Sequence, residues 1–350
     1  MFRNTFRQLS SGVRSYSKMA KNNPKNIPSL RLASGHVRPL VGYGIWKVPR
    51  STCADSVYNA IKLGYRHIDG AHDYQNSTEA GQGVRRAISD GLVKREDLFI
   101  TSKLWNNYHR YENAIAAAKR ENDAWGLDYL DLFLIHFPCA QQYVPPEVLE
   151  YPCFWTDATQ KHVAPLEKVP NSETWAALET LVKSEENPGG ILKSIGVANF
   201  SNQLLYEVLA AAKVPVSVLQ IEHHPYLVQD SLVKMAQEEG VVVTAYSSFG
   251  PQSFIELGNE DAKGVQALFE NEVIKGIAAK HGKTPAQVLL RWATQRNIVV
   301  IPKSNSAERL AQNLDSVGFD MSNEDLDAIS GLDRGLRFNN PGNFSNLRIF

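Results

Sequence analysis

One alternation repeats eight times along the chain: a short apolar run rich in β-branched residues, then a longer stretch with helical periodicity. The runs are PLVGYGI (39–45), YRHID (65–69), LFITSKL (98–104), LDLFLIH (130–136), SIGVANF (194–200), SVLQIEHH (217–224), VVVTAYSS (241–248) and IVVIPKS (298–304). Near-continuous apolar strands of this kind are buried on both faces, which is the pattern of a parallel sheet. Helices are expected between them at 51–63, 79–90 and 111–125, each followed by a glycine (Gly64, Gly91, Gly126) that suits the left-handed C-terminal cap. Further helices are expected through 172–184, 202–213, 230–239, 272–282, 284–296 and 306–314, with Thr284-Pro285 and Ser306 as N-terminal caps. Strand then helix, eight times, predicts an α/β fold, the (β/α)8 TIM barrel, over residues 21–350.

Two stretches break the regularity. Residues 137–172 after the fourth strand are too long for an ordinary strand-to-helix loop and contain YPCFW. The tail after Leu332, DRGLRFNNPGNFSNLRIF, has no periodic pattern yet ends apolar. Loops that follow barrel strands lie on the active-site face, so both are candidate pocket walls, or else caps on a barrel end.

Composition narrows the class of partner. Of 350 residues, 43% are hydrophobic, ample for a core, and Lys plus Arg equals Asp plus Glu at 37 each, so no global field favours nucleic acid or an anionic membrane. A small-molecule or protein partner is expected instead. No run approaches the length that spans a bilayer. Cys53, Cys139 and Cys153 show no paired spacing, which argues against a disulfide framework and a zinc ribbon. The first acidic residue is Asp55, while Arg3, Arg7, Arg14 and Lys18 share the opening segment with several serines. Residues 1–20 therefore read as a mitochondrial transit peptide or a basic disordered tail, and RSYS (14–17) resembles a processing site. Initiation at Met19 would instead leave a cytoplasmic protein.

The chemistry gathers at strand ends. Asp69, Lys103 and His136 each close, or nearly close, the second, third and fourth runs, and Tyr74 follows Asp69 in the next loop. Any one of them alone has a structural reading, as an ion pair or a rim residue. Together on successive strand ends they place a carboxylate, an ammonium, a phenol and an imidazole in one spot. A lysine beside a tyrosine favours the phenolate and lowers the phenol's pKa, and an aspartate keeps that lysine charged. The set suits protonating an oxygen that is becoming an alkoxide, which is carbonyl reduction. The pair His223 and His224 in EHHP is set aside as a metal site, because neighbouring strand residues face opposite ways. Cys139 has no neighbour in sequence that would activate it.

The stretches GYRHIDGAHDYQNSTEAGQGVRRAI, TSKLW, LFLIHFP, SIGVANF, LQIEHHPYL, TAYSSFGPQSF and IPKSNSAERLAQN resemble the aldo-keto reductases, and among them the fungal D-xylose reductases, from about Ile27 to the end. The resemblance implies an N-terminal β-hairpin cap on the barrel. It also implies a catalytic tetrad of Asp69, Tyr74, Lys103 and His136 that reduces an aldehyde with NADPH or NADH, Tyr74 giving the proton. No GxGxxG follows any strand, so a Rossmann site is not expected. IPKSNSAER instead sets Lys303, Ser304, Asn305 and Arg309 between the eighth strand and a helix start, a setting suited to an anion. By resemblance these receive the 2′-phosphate of NADPH, Tyr246 stacks on the nicotinamide, and Asn199 and Gln220 hold its carboxamide. The same resemblance implies that Ser247, Gln312 and Asn313 are further cofactor contacts and that Glu256 allows NADH through the ribose hydroxyls, with NADPH preferred.

Substrate-lining positions implied in the same way are Trp46, Asp73, His136, Phe137, Phe249 and Asn339. Two departures stand out: Ala198 occupies a position where the family usually has serine, and Gly342 and Phe344 replace two tail tryptophans, which points to a wider pocket. The expected reaction is reduction of the C1 aldehyde of an open-chain aldose, D-xylose to xylitol. A broader aldehyde or ketone reductase acting on short hydroxyaldehydes or dicarbonyls is the alternative within enzymes. A redox-sensing regulatory subunit is the alternative outside them. Both monomers and homodimers occur in the family.

Overall fold

The computed structural model describes residues 27–345 and 347–350. The expected transit peptide lies outside them.

Ten strands are present among the described residues. β1 (Ser29–Arg31) and β2 (Val37–Pro39) form an antiparallel hairpin, with Leu30 opposite Arg38. The others, β3 (Tyr43–Gly44), β4 (His67–Asp69), β5 (Phe99–Leu104), β6 (Leu132–Ile135), β7 (Ile195–Ala198), β8 (Val218–Glu222), β9 (Val242–Tyr246) and β10 (Val299–Val300), are parallel and adjacent in chain order. The sheet closes on itself. Val41 bridges Val300 in parallel, the Gly42 amide donates to the Val300 carbonyl at 2.8 Å, and the Gly44 amide to that of Pro302 at 3.3 Å. Backbones approach closely at this seam: a β-carbon on Gly44 would lie 2.6 Å from the Ile301 carbonyl oxygen. β10 is shorter than its apolar run because Pro302 has no amide to continue the ladder.

Alternation along the strands sorts two apolar layers. Phe133 and Ile135 of β6 face outward into the large core shared with the helices, while Leu132 and Leu134 face the barrel interior. The interior cluster includes Phe99, Val218, Val242 and Val299, and is closed at one end by Leu32 and Leu40 from the hairpin, the expected cap. The same alternation turns His67 and Asp69, and Thr101 and Lys103, inward. Asp69 pairs in register with Thr101, and Lys103 with Leu134.

The helices follow the cap signals. Gly64, Gly91 and Gly126 all take positive φ, and Thr284 with Gln287 forms a capping box at the helix Pro285–Thr294. The helix expected at 172–184 ends at Glu179, because Val182 leaves it to bridge Leu192 as β structure. A helix at Asn323–Ser330 was not anticipated, although Ser322 caps it by accepting the Asp325 amide. The tail, expected to be irregular, contains one short helical turn at Gly342–Ser345. No described helix is long and apolar enough to cross a membrane.

Candidate active site

Three strand ends and the turn after the first of them build the floor. Lys103 on β5 is fully buried, and its Nζ donates to Asp69 Oδ1 at 2.6 Å, to the Gly70 carbonyl at 2.7 Å and to the Tyr74 hydroxyl at 3.3 Å. Tyr74 reaches this point because the chain after β4 makes a single 3-10 turn, His72–Tyr74, and Gln75 then takes φ 60°. Asn76 pins the turn by donating to the carbonyls of Ile45 and Val48, each at 3.0 Å. His136, just past β6, sets its ring edge toward Tyr74 at 6.0 Å, against Trp105 at 5.1 Å and stacked on Phe137 at 5.2 Å. The predicted tetrad is therefore one cluster.

Asp69 carries more than one cation. Its Oδ2 accepts from Gln220 Nε2 at 2.9 Å and lies 3.9 Å from Arg38 of the hairpin, itself fully buried inside the barrel. Arg38 also donates to Thr244 Oγ1 at 2.6 Å and meets His67 Nε2 at 3.1 Å.

The electrostatics correct one expectation. The phenol of Tyr74 is pushed well above its ordinary range, by burial first and then by Asp69 and Asp73, rather than lowered by Lys103. The physical reason is that Asp69 at 2.6 Å offsets most of the ammonium's charge, so the cost of desolvating a phenolate wins. Tyr74 thus holds its proton until charge develops on a bound oxygen. Burial lowers Lys103, with Asp69 opposing. Burial, then Lys103 and His72, holds His136 well below the usual histidine range, so the imidazole is neutral. A neutral ring donates or accepts a hydrogen bond without adding net charge.

Above this floor opens a cavity of about 810 Å³. Every residue expected to bind cofactor or substrate lines it, and of the tetrad only Lys103 lies beneath, acting through Tyr74. Asn199, at φ 63°, donates to the His136 carbonyl at 2.8 Å and accepts from Tyr246 OH at 2.7 Å, which in turn accepts from Asn339 Nδ2 at 3.1 Å. The amides of Asn199 and Gln220 thus already have protein partners, and Gln220 serves Asp69 directly. Trp46 lies against Phe254 and Phe249 against Phe269. Burial raises Asp73 above the usual carboxylate range.

The far end of the cavity is cationic. Lys303 is lowered by burial, with Lys47 and Arg309 adding to the effect and Glu256 opposing it. Lys47 spans two rims, 3.5 Å from Glu256 and donating to the Ser253 carbonyl at 3.2 Å. Ser304 is buried with its Oγ accepting from the Ser306 amide at 3.1 Å, while Asn305 and Arg309 are exposed and Gln312 donates to Glu308. Three cations around one carboxylate leave excess positive charge, which fits the phosphates of a dinucleotide. The flat face of Tyr246 and the neighbouring amides fit an aromatic carboxamide at the other end.

Some lining residues were not anticipated. Trp105, directly after β5, donates through Nε1 to the Cys153 carbonyl and so ties the long 137–172 stretch to the barrel, with Phe154 entering the cavity. The TSKLW run was the available signal for Trp105. Lys47 had none, since its role depends on a segment two hundred residues away. Cys139 is half-buried, its thiol pushed up to about 12 by burial, so it is no nucleophile. His223 stacks on Trp292 and His224 on Phe338, and no group of metal ligands occurs among the described residues. Ala198 is buried in the interior cluster. The side chain of Phe344 lies outside the described part, whereas Gly342 is half-buried.

Comparisons with known proteins agree with the geometry. The sequence profile described as "Aldo/keto reductase family" matches residues 39–334. An NAD(P)H-dependent pentose reductase of Pyricularia oryzae is 60% identical over 317 residues, 91% of this chain and 97% of that one. The NAD(P)H-dependent D-xylose reductase I,II of Candida tropicalis is 55% identical over 93% of this chain and 98% of its own. Among solved structures, a Bombyx mori aldo-keto reductase in complex with NADP superposes with a TM-score of 0.77 at 30% identity, covering 92% of this chain and 98% of that one.

Proposed function

From the premise that this chain belongs to the aldo/keto reductase family, we propose that it is an NAD(P)H-dependent aldose reductase that converts the C1 aldehyde of an open-chain pentose, D-xylose first, to the alcohol. The single observation that carries the reading is the Tyr74 phenol 3.3 Å from the buried Lys103 Nζ at the floor of a cavity whose other end is cationic.

The residues take these roles. Lys303, Ser304, Asn305 and Arg309 hold the phosphate end of the dinucleotide, with Gln312 and Asn313 beside them and Ser247 further along. Tyr246 lies under the nicotinamide, and Asn199 and Gln220 fix its orientation. Glu256 serves the ribose hydroxyls of NADH, and what supports this is its place on the rim beside Lys47. When bound, the cofactor supplies a hydride to the carbonyl carbon.

Everything else is done by the chain. His136, neutral and wedged between Trp105 and Phe137, orients the carbonyl oxygen toward Tyr74. As negative charge grows on that oxygen, the Tyr74 hydroxyl delivers its proton. Lys103 steadies the phenolate left behind, and Asp69 holds Lys103 in place. Trp46, Phe137 and Phe249 exclude water, while Asp73 and Asn339 offer polar contacts for sugar hydroxyls. A site that hydrogen-bonds hydroxyls rejects aldehydes that lack them, because its buried polar groups are then left unpaired.

The test is D-xylose-dependent loss of NADPH and NADH absorbance. Tyr74→Phe is expected to cut kcat by roughly 10²–10⁴ while nucleotide binding persists. Full activity in that variant would refute the mechanism, and no turnover of any aldose by the native chain would refute the substrate class.

A further inference from the structure

We propose that Glu222, with His224, is a positioning residue for substrate selection: it latches the C-terminal tail so that Asn339 stands over the pocket. The inference deepens the aldose reading above and rests on it.

Glu222 ends β8, and its carboxylate is fully buried. Oε1 accepts from the Phe338 amide at 2.9 Å and Oε2 from the Asn339 amide at 2.9 Å, while His224 Nε2 meets Oε1 at 2.9 Å. Two of its three side-chain donors therefore belong to the tail, more than a hundred residues on. If the tail left, a desolvated carboxylate would keep His224 alone, and a buried charge stripped of its donors is strongly disfavoured. A carboxylate here holds the tail in one register, which an apolar side chain of the same volume would not do.

The backbone beneath it is fixed as well. The Glu222 carbonyl accepts from Gln229 Nε2 at 2.6 Å, Gln229 sits at φ 50°, and its Oε1 accepts from Arg337 at 2.8 Å.

Two lines run from this latch to the site. Through the backbone, Asn339 is set so that its Nδ2 donates to Tyr246 OH at 3.1 Å, and Tyr246 is bonded to Asn199. Through the rings, His224 stacks on Phe338, Phe338 on Phe254, and Phe254 packs against Trp46, joining the tail to the pocket wall. The EHHP motif finds its use in this latch.

The experiment uses the full chain with Glu222→Gln, which keeps the volume but turns one acceptor into a donor facing a tail amide. Limited trypsin digestion reads release of the tail: cleavage after Arg334 or Arg337 needs residues on both sides to leave their partners. It is expected to quicken at least tenfold. In parallel, the ratio of kcat/KM for D-xylose to that for pentanal, which lacks hydroxyls, is expected to fall at least tenfold. Asn339→Ala is expected to lower the same ratio without hastening cleavage, and the double variant to be no worse than either single one.

His224→Phe keeps a ring on Phe338 but withdraws one donor. It is expected between the native chain and Glu222→Gln, and serves if the latter fails to fold. Unchanged cleavage, or an equal fall for both aldehydes, overturns the proposal. If the native chain reduces pentanal and no aldose, the aldose reading fails, and the cleavage rates still decide the latch.

Discussion

Replacing Asp69 by asparagine removes the one carboxylate that two fully buried cations share. Lys103 lies 2.6 Å from it and Arg38 3.9 Å, and neither has another carboxylate partner among the described residues. At an effective dielectric of about 20, a unit charge at such distances is worth on the order of 4–6 kcal/mol in Coulomb energy. Part returns through relaxation, so the net cost of orphaning buried charges is about 3–5 kcal/mol. For a chain of 350 residues the entropy of unfolding converts this to a fall in Tm of about 4–7 °C.

The same change acts on catalysis with a definite sign. Asp69 is among the groups that raise Tyr74 and Lys103, so its loss lowers the pKa of both. The alkaline limb of kcat/KM is therefore expected to move to lower pH by at least about one unit, with the pair titrating together. The assay is NADPH oxidation with D-xylose from pH 5 to 10, alongside scanning calorimetry. A Tm within a degree of the native value together with an unmoved alkaline limb would refute the account of Asp69 as the shared counter-ion.

Cofactor choice and acid stability offer two further tests. Arg309→Ala is expected to raise KM for NADPH about tenfold, the low end for a hydrogen bond to a charged group at an exposed site, and to leave KM for NADH within about twofold; equal losses with both would remove Arg309 from phosphate binding. His109 is lowered by burial to about 4, and His67, His136 and His223 are lowered well below the usual range, chiefly by burial. Above about pH 6.5 this costs nothing. Below it the unfolded chain takes up protons that the fold refuses, so stability is lost as pH falls, by about 3 kcal/mol from His109 alone near pH 4. Urea midpoints that stay constant from pH 7.5 to 5 would contradict it.

The barrel and the tetrad were legible in the residue order because both rest on local rules. Period-two burial marks strands, glycines mark helix ends, and in a (β/α)8 fold the last inward residue of a strand must face the site, which places Asp69, Lys103 and His136 together. Tyr74 was legible because its loop is short. What the residue order left open concerns partners far apart in it. Glu222 and Asn339 meet only because β8 ends beneath the tail, Lys47 and Glu256 only because two rims close on each other, and Arg38 and Asp69 only because the hairpin turns a cation into the barrel. The direction of the Tyr74 pKa was misjudged for the same reason. Sequence puts a lysine near a phenol, but only the packed structure decides how much water remains and how fully an aspartate has already claimed the lysine's charge.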